Sequence, residues 1–251
     1  MTTANTPFSL SGKTVLVTGA SSGIGRAVAV LCSQMDATVI ITARNEKRLQ
    51  ETLSQMGDPE RHIVLQGDLT SLNDIERIVE QLPPLDGIVH CAGIGLRKIC
   101  KQIEESDIDL VMNTNFKAPV MLQTAVLKHK KINKNSSIVF IASRAAESPS
   151  TGNALYSASK GALISYANCL GLELAQRLIR VNAISPAMVW TDLVLSGGVS
   201  KEQLEEDEKK YPLKRYGRPD DIANLAVYLL SDASSWMTMN NIPISGGRLD
   251  A

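Results

Sequence analysis

Thr14-Val15-Leu16-Val17-Thr18-Gly19-Ala20-Ser21-Ser22-Gly23-Ile24-Gly25 is the stretch on which the reading of this chain turns. Its first five residues form a β-branched apolar run, and the apolar residues from Ile24 to Met35 recur with helical period, so the glycines between them make a tight strand-to-helix turn. In an α/β sheet, that turn is where the pyrophosphate of a dinucleotide is expected. One glycine serves the turn, one lets the backbone approach the anion and one lets helix pack on strand, while the helix N-terminus faces the charge. The spacing is G-x-x-x-G-x-G, not G-x-G-x-x-G, and Ser21 adds a hydroxyl for phosphate. Gly19-Ala20-Ser21-Ser22-Gly23 also fits the G-x-S-x-G elbow of serine hydrolases. That reading puts the nucleophile on the first strand, and no histidine follows His129 to close a triad.

Outward from this unit the strand–helix alternation repeats. Strands are expected at Thr38–Thr42, Ile63–Gln66, Gly87–His90, Ser137–Ala142, Val181–Ile184 and about Ile242–Ile244. Helices are expected at Glu46–Met56, at Ser71–Leu82 behind a Ser71-x-x-Asp74 capping box, and from a Ser106-x-x-Asp109 cap to about Lys131. Further helices carry Tyr156 as far as Leu178 and span Asp220–Leu230. Unbroken apolar strands alternating with helices imply a parallel sheet covered on both faces. Pro243 cannot donate to a ladder, which places the last strand at the sheet edge. The expected architecture is one doubly wound α/β (Rossmann) domain over residues 1–251, of about seven strands.

Length and composition narrow the partners. The chain has 251 residues, 44% of them hydrophobic, and its 26 basic residues balance 26 acidic ones, so charge gives no case for nucleic acid or an anionic membrane. Four scattered cysteines without a C-x-x-C and three histidines without ligand spacing imply no metal site. With no apolar leader and no run long enough to span a bilayer, the expectation is a cytoplasmic protein with reduced thiols.

Tyr156-Ser157-Ala158-Ser159-Lys160 is the second decisive stretch. Residues four apart share a helix face, and an ammonium near a phenol favours its anion, so Tyr156 and Lys160 suit proton transfer.

Taken together, the Thr18–Gly25 loop, Asp68 after the third strand, Ala92-Gly93 after the fourth, Ser143 after the fifth, Tyr156 with Lys160, and Pro186 through Thr191 resemble the short-chain dehydrogenase/reductase family, in its short single-domain form. The nearest likeness is to β-ketoacyl carrier-protein reductases. The resemblance covers nearly the whole chain. It implies hydride transfer between a nicotinamide and a carbonyl or alcohol carbon, with Tyr156 as general acid/base, Lys160 lowering its pKa and holding the nicotinamide ribose, and Ser143 orienting the substrate oxygen. It implies a cofactor site of Gly19, Ser21, Ser22, Gly23, Ile24, Gly25, Asp68, Leu69, Ala92, Gly93, Tyr156, Lys160, Pro186, Val189 and Thr191. The family's fourth catalytic member, an asparagine, is matched by Asn115-Phe116 ahead of Asn113. Independently, Pro119 would free the Asn115 carbonyl to hold a relay water.

Relatives that prefer NAD place an acid at the end of the second strand for the ribose 2′-OH. This chain reads Thr42-Ala43-Arg44-Asn45, and Arg44 suits a 2′-phosphate, so NADP(H) is expected over NAD(H). A surface ion pair of Arg44 with Glu46 or Asp68 is the alternative. Several positions depart from the family pattern: His90-Cys91 precedes Ala92-Gly93, Ala187 follows Pro186, and Met239 and Ser245 stand where Gly and Asp are usual.

Residues 187–216 correspond to the segment that covers substrate in relatives. Gly197-Gly198 offers a hinge there, and Met188, Trp190 and Leu193 an apolar pocket. A 3-ketoacyl thioester, sugar, polyol or other small ketone all fit. Lys128, Lys130, Lys131 and Lys134 could dock an acidic acyl carrier protein, or merely complement a helix C-terminus. The family's habit implies a homodimer or homotetramer. The rival function is a dinucleotide-binding sensor or scaffold without turnover, which would not need Ser143, Tyr156 and Lys160.

Overall fold

Seven strands form one parallel sheet in the computed structural model, which describes residues 6–248. The strands are β1 (Thr14–Thr18), β2 (Thr38–Ala43), β3 (Ile63–Gln66), β4 (Leu85–His90), β5 (Ile132–Ile141), β6 (Arg180–Pro186) and β7 (Asn241–Ile244). Their order is β3-β2-β1-β4-β5-β6-β7, so the direction in which strands are added reverses at β1 and β4, which opens a crevice at that switch point. β7 pairs only with β6 and sets Pro243 opposite Ser185 at the edge, where a missing N–H costs no ladder bond.

Both faces of the strands are apolar, and each builds its own core. Val15, Val17, Val39 and Ile41 join helices α1 (Gly23–Gln34), α2 (Glu46–Leu53) and α9 (Pro219–Leu230) on one side. Leu16, Ile40, Ile88 and Phe140 join α3 (Leu72–Gln81), α5 (Ala118–Lys128) and α6 (Ala154–Leu174) on the other. No helix among the described residues is long and apolar enough to cross a membrane.

The long helix expected from Ser106 to Lys131 is not continuous. α4 (Glu105–Met112) starts one residue before Ser106, because the capping box is Glu104-x-x-Asp107, in which the Asp107 carboxylate accepts from the Glu104 N–H at 2.8 Å. The Asp107 carboxylate also takes the Lys98 ammonium at 2.6 Å, which fixes this register over the Ser106-x-x-Asp109 alternative. A π turn, Asn113–Lys117, then separates α4 from α5, with the Ala118 N–H reaching back to the Asn113 carbonyl. Pro119 accounts for the widening: its ring cannot sit over the Asn115 carbonyl in a regular helix.

Other departures are local. At α3 the Ser71 hydroxyl accepts from the Asp74 N–H, but the Asp74 carboxylate bonds the Asp68 N–H at 2.7 Å, so the box is half formed. β5 starts at Ile132, with an irregular register against β4 before Ser137. α6 ends at Leu174, and Leu178 stands beyond it in a left-handed conformation. Met239 is also left-handed, with φ of 57°, and its side chain lies over Gly171, where an added Cβ would meet the Met239 Cγ at 2.6 Å.

Two short helices, α7 (Asp192–Leu195) and α8 (Lys201–Glu208), bridge β6 to α9. Leu204, Tyr211 and Tyr216 form a third, smaller core there with Met188, Trp190, Val194 and Val199.

Candidate active site

The floor of the switch-point crevice is backbone. Gly19 turns the chain out of β1 with φ of +65°, and a Cβ on it would stand 2.9 Å from the Ala92 Cα. A Cβ on Gly25 would fall 2.3 Å from the Gly19 carbonyl oxygen, so α1 can begin only if that position is bare. The Thr18 hydroxyl accepts from the N–H groups of Cys91 (3.1 Å) and Ala92 (3.2 Å), stitching the loop after β4 to the end of β1. That role of Thr18 went unread in the sequence, although a hydroxyl at a strand end beside a buried loop is a recognisable signal. Ser22 caps α1 in extended conformation without spending its hydroxyl on the helix.

A cleft of about 420 Å³ lies above this floor, within the range of small-ligand sites. Gly19, Ser21, Ser22, Gly23, Ile24 and Gly25 line one side of it, Arg44, Asp68 and Leu69 the next, and Ala92, Gly93 and Thr191 the rest. Sequence reasoning missed Arg48, Thr70, Ile94 and Thr114, which line it too. Leu69 is buried, and the Asp68 carboxylate accepts from both the N–H and the hydroxyl of Thr70, which orients the Asp68 backbone at the rim. Asn45 caps α2 by accepting from the Arg48 N–H at 3.0 Å. The exposed Arg44 guanidinium has no ion pair among the described residues, so neither Glu46 nor Asp68 holds it. Bare backbone on the floor and a free guanidinium at the rim fit a phosphorylated dinucleotide.

Tyr156 and Lys160 stand together on α6 as their spacing requires, with the ammonium 5.7 Å from the phenol ring centroid. The Tyr156 hydroxyl shares a hydrogen bond with the Ser143 side chain, and Ser143 also accepts from the Ala145 N–H at 3.1 Å. Lys160 is buried, donates to the Ile141 carbonyl at 2.9 Å, and is pushed down to about 8 by that burial, against the opposing pull of Cys91. The expected lowering of the Tyr156 pKa is not what this geometry produces: burial raises it, and the Ser143 bond offsets only part. The surrounding fold imposes a desolvation that the spacing of the two side chains does not reveal.

Asn115 comes in from the π turn and is fully buried. Its Oδ1 accepts from the Ile94 N–H at 2.8 Å, and its Nδ2 donates to the Ile94 carbonyl at 2.9 Å and to the Ser159 Oγ at 3.1 Å. The Ser159 hydroxyl in turn donates to the Tyr156 carbonyl at 2.7 Å, which ties the loop after β4 to α6. A Cβ on Gly93 would lie 3.3 Å from both Asn115 Oδ1 and Lys160 Nζ, so these side chains converge on one point of the cleft.

Pro186 ends β6, and the Ala187 N–H donates to the Ile244 carbonyl without left-handed backbone, so a methyl in place of glycine is tolerated there. Val189 is buried and bridges to Gly217, while the Thr191 hydroxyl donates to the Val189 carbonyl at 3.2 Å. His90 is buried, stacked on Phe140 with ring centroids 4.5 Å apart, and bonded to Gln123 at 3.2 Å. It lies behind the cleft as a packed sheet residue, although its Nδ1 lacks a partner.

Two expectations are corrected. Met188 and Trp190 do not form a pocket with Leu193: both pack into the third core, where the Trp190 indole N–H donates to Glu208 at 2.9 Å. Leu193 alone reaches the cleft, over Gly95. The four lysines lie where α5 ends and β5 starts, whereas Ser143 follows the other end of that ten-residue strand, about 30 Å away. Lys131 there is already bound to the carbonyls of Glu80 and Leu82.

This geometry has counterparts. A family profile described as "Enoyl-(Acyl carrier protein) reductase" matches residues 19–248. The chain is 34% identical over 240 residues to the 3-oxoacyl-[acyl-carrier-protein] reductase FabG of Rickettsia felis, covering 96% of this chain and 98% of that one. It is 33% identical over 245 residues to the NAD-dependent glycerol dehydrogenase of Listeria innocua, with 96% and 95% covered. A crystal structure described as a short-chain dehydrogenase/reductase, SDR:Glucose/ribitol dehydrogenase, from Brucella melitensis superposes with a TM-score of 0.88 at 32% identity, over 94% of this chain and 96% of that one.

Proposed function

The chain belongs to the short-chain dehydrogenase/reductase family of oxidoreductases, and from that premise we propose that it is an NADP(H)-dependent carbonyl reductase with Tyr156 as its general acid/base. The observation that carries this reading is the Tyr156 phenol, held between the Ser143 side chain and the Lys160 ammonium at the edge of a glycine-floored cleft. A binding-only role would leave those three side chains without work.

The glycine loop, Ser21, Ser22, Ile24, Asp68, Leu69, Ala92, Gly93, Pro186, Val189 and Thr191 would hold the cofactor, with Lys160 and Tyr156 at its nicotinamide end. When bound, the nicotinamide supplies or accepts the hydride. Ser143 orients the substrate oxygen, and the Tyr156 hydroxyl delivers a proton to it in reduction and takes one in oxidation. A pKa raised by burial keeps Tyr156 protonated at neutral pH, the state a reductase needs. Lys160 supplies positive charge as Tyr156 gives up its proton, which limits the anion's cost in a desolvated site. The proton returns through Lys160 and a water held by the Asn115 carbonyl, to which Pro119 offers no N–H.

NADP(H) is preferred here because Arg44 stands at the rim with no acidic partner. Family membership alone would not choose it, since the Listeria relative is named as NAD-dependent. Residues 187–216 serve as the substrate-covering part of a single domain. A 3-ketoacyl thioester, the substrate class in the name of the Rickettsia relative, leads sugars, polyols and other small ketones. Four free cysteines fit a reducing compartment. Ile108, Leu110 and Leu172 are exposed on α4 and α6, a surface that suits a homodimer or homotetramer. Light scattering that shows a monomer at micromolar concentration contradicts this last point.

Absorbance at the nicotinamide band, with NADPH and NADH against a panel of 3-ketoacyl thioesters, sugars and simple ketones, tests the main reading. Oxidation of NADPH by at least one carbonyl is expected; tight NADPH binding with no carbonyl turned over sinks it.

A further inference from the structure

Arg48, in the first turn of α2, sets its guanidinium 3.2 Å from the carboxylate of Asp192, the first residue of α7. Both residues line the cleft beside Arg44. The pair therefore spans the cleft mouth, from the wall that follows β2 to the start of the segment over the substrate. It is also weak by construction, since the two side chains are 50% and 65% exposed, and exposed pairs contribute little. A phosphate monoester at Arg44 would bring about −2 charge to the same rim. Guanidinium engages phosphate in a charge-assisted, two-pronged geometry that a single 3.2 Å contact to one carboxylate oxygen does not match.

We propose that Arg48 is shared between Asp192 and the 2′-phosphate of the cofactor, so that NADP(H) unfastens the start of the covering segment while NAD(H) leaves it fastened. Asp192 then sets cofactor specificity from outside the β2 loop, by competing with the phosphate for Arg48. The inference rests on the NADP(H) reading above.

Calorimetric titration of the intact protein with NADP⁺ and with NAD⁺ tests it. Asp192→Asn tightens NADP⁺ about two- to fivefold, the range of an exposed ion pair, and leaves NAD⁺ unchanged. Arg48→Ala weakens NADP⁺ about fivefold or more and spares NAD⁺, and in that background Asp192→Asn has no further effect. In the unmutated protein, amide exchange over residues 192–198 is faster with NADP⁺ bound than with NAD⁺ bound. An Asp192→Asn variant that shifts both cofactors equally, or neither, overturns the proposal. Arg44→Ala separates the two levels: if it weakens NADP⁺ while Asp192→Asn does nothing, only the strap fails. If Arg44→Ala leaves NADP⁺ affinity unchanged, the cofactor reading fails and the strap with it.

Discussion

The floor of the cleft and the segment that roofs it are held by different kinds of force. On the floor, Asn115, Ser159 and Lys160 are buried and bonded to backbone groups and, for Asn115 and Ser159, to each other, at 2.7 to 3.1 Å. The roof is held by an aromatic cluster of its own and by ion pairs. Tyr216 donates to Asp207 at 2.8 Å, and Arg248 pairs with Asp207 at 2.9 Å while stacking 5.0 Å from the centre of the Tyr211 ring. Buried, fully bonded polar groups define one arrangement, because any slip leaves a desolvated atom unpaired. Packing of rings and partly exposed charges permits small displacements. On the proposed reading, the floor suits a fixed reaction and the roof a cover that shifts.

The largest expected effect strikes the floor. Tyr156→Phe keeps the ring and removes the proton, so kcat falls by about 10²–10⁴-fold while NADP⁺ affinity by calorimetry stays within about twofold. If kcat falls by less than tenfold, the division between floor and roof loses its chemical half.

The next effect is a pH-dependent loss of stability just behind the floor. Burial holds His90 down to about 4, from 6.5 in the unfolded chain. Unfolded chains bind the proton first as pH falls, so stability is full above about 6.5 and drains away as pH falls toward 4. The total is on the order of 3 kcal/mol. Urea titrations at pH 7 and pH 4.5, compared with those of His90→Leu, read it: the variant should lose less stability over this interval. Equal slopes would mean that His90 is not buried neutral.

The smallest effect belongs to the roof. Arg248→Ala removes both the Asp207 pair and the stack on Tyr211, at a cost of about 1–2 kcal/mol. Hydrogen exchange over residues 201–216 quickens, and KM for the carbonyl rises several-fold with kcat within about twofold. A variant whose kcat falls with KM unchanged would show the roof to be part of the rigid floor.

The same division explains what could be read in advance. β1 and β3 fall on the residues expected, and the glycine turn lines the cleft, because strand pattern, turn chemistry and helix start are local properties. Tyr156 and Lys160 meet because helical spacing is local too. The raised pKa of Tyr156 was not legible, since burial is set by elements distant in sequence. Nor was the fate of Met188 and Trp190, which depends on Tyr211, Tyr216 and Glu208 further along the chain. Pro119 places the distortion at Asn115, but its form, a π turn, depends on how α4 and α5 seat against the sheet.

Met239 and Gly171 carry a consequence for how this chain can change. The methionine occupies a left-handed backbone that glycine would adopt without strain, and its side chain fills the space that a methyl on Gly171 would need. The two single substitutions differ: Gly171→Ala collides with the methionine, whereas Met239→Gly relaxes the backbone and bares part of α6, because the Met239 side chain is itself exposed. Made together they set a methyl where the Met239 side chain lies, without the collision. A mutational route between the two avoids the collision when Met239→Gly comes first, so the order of the steps matters as well as their sum.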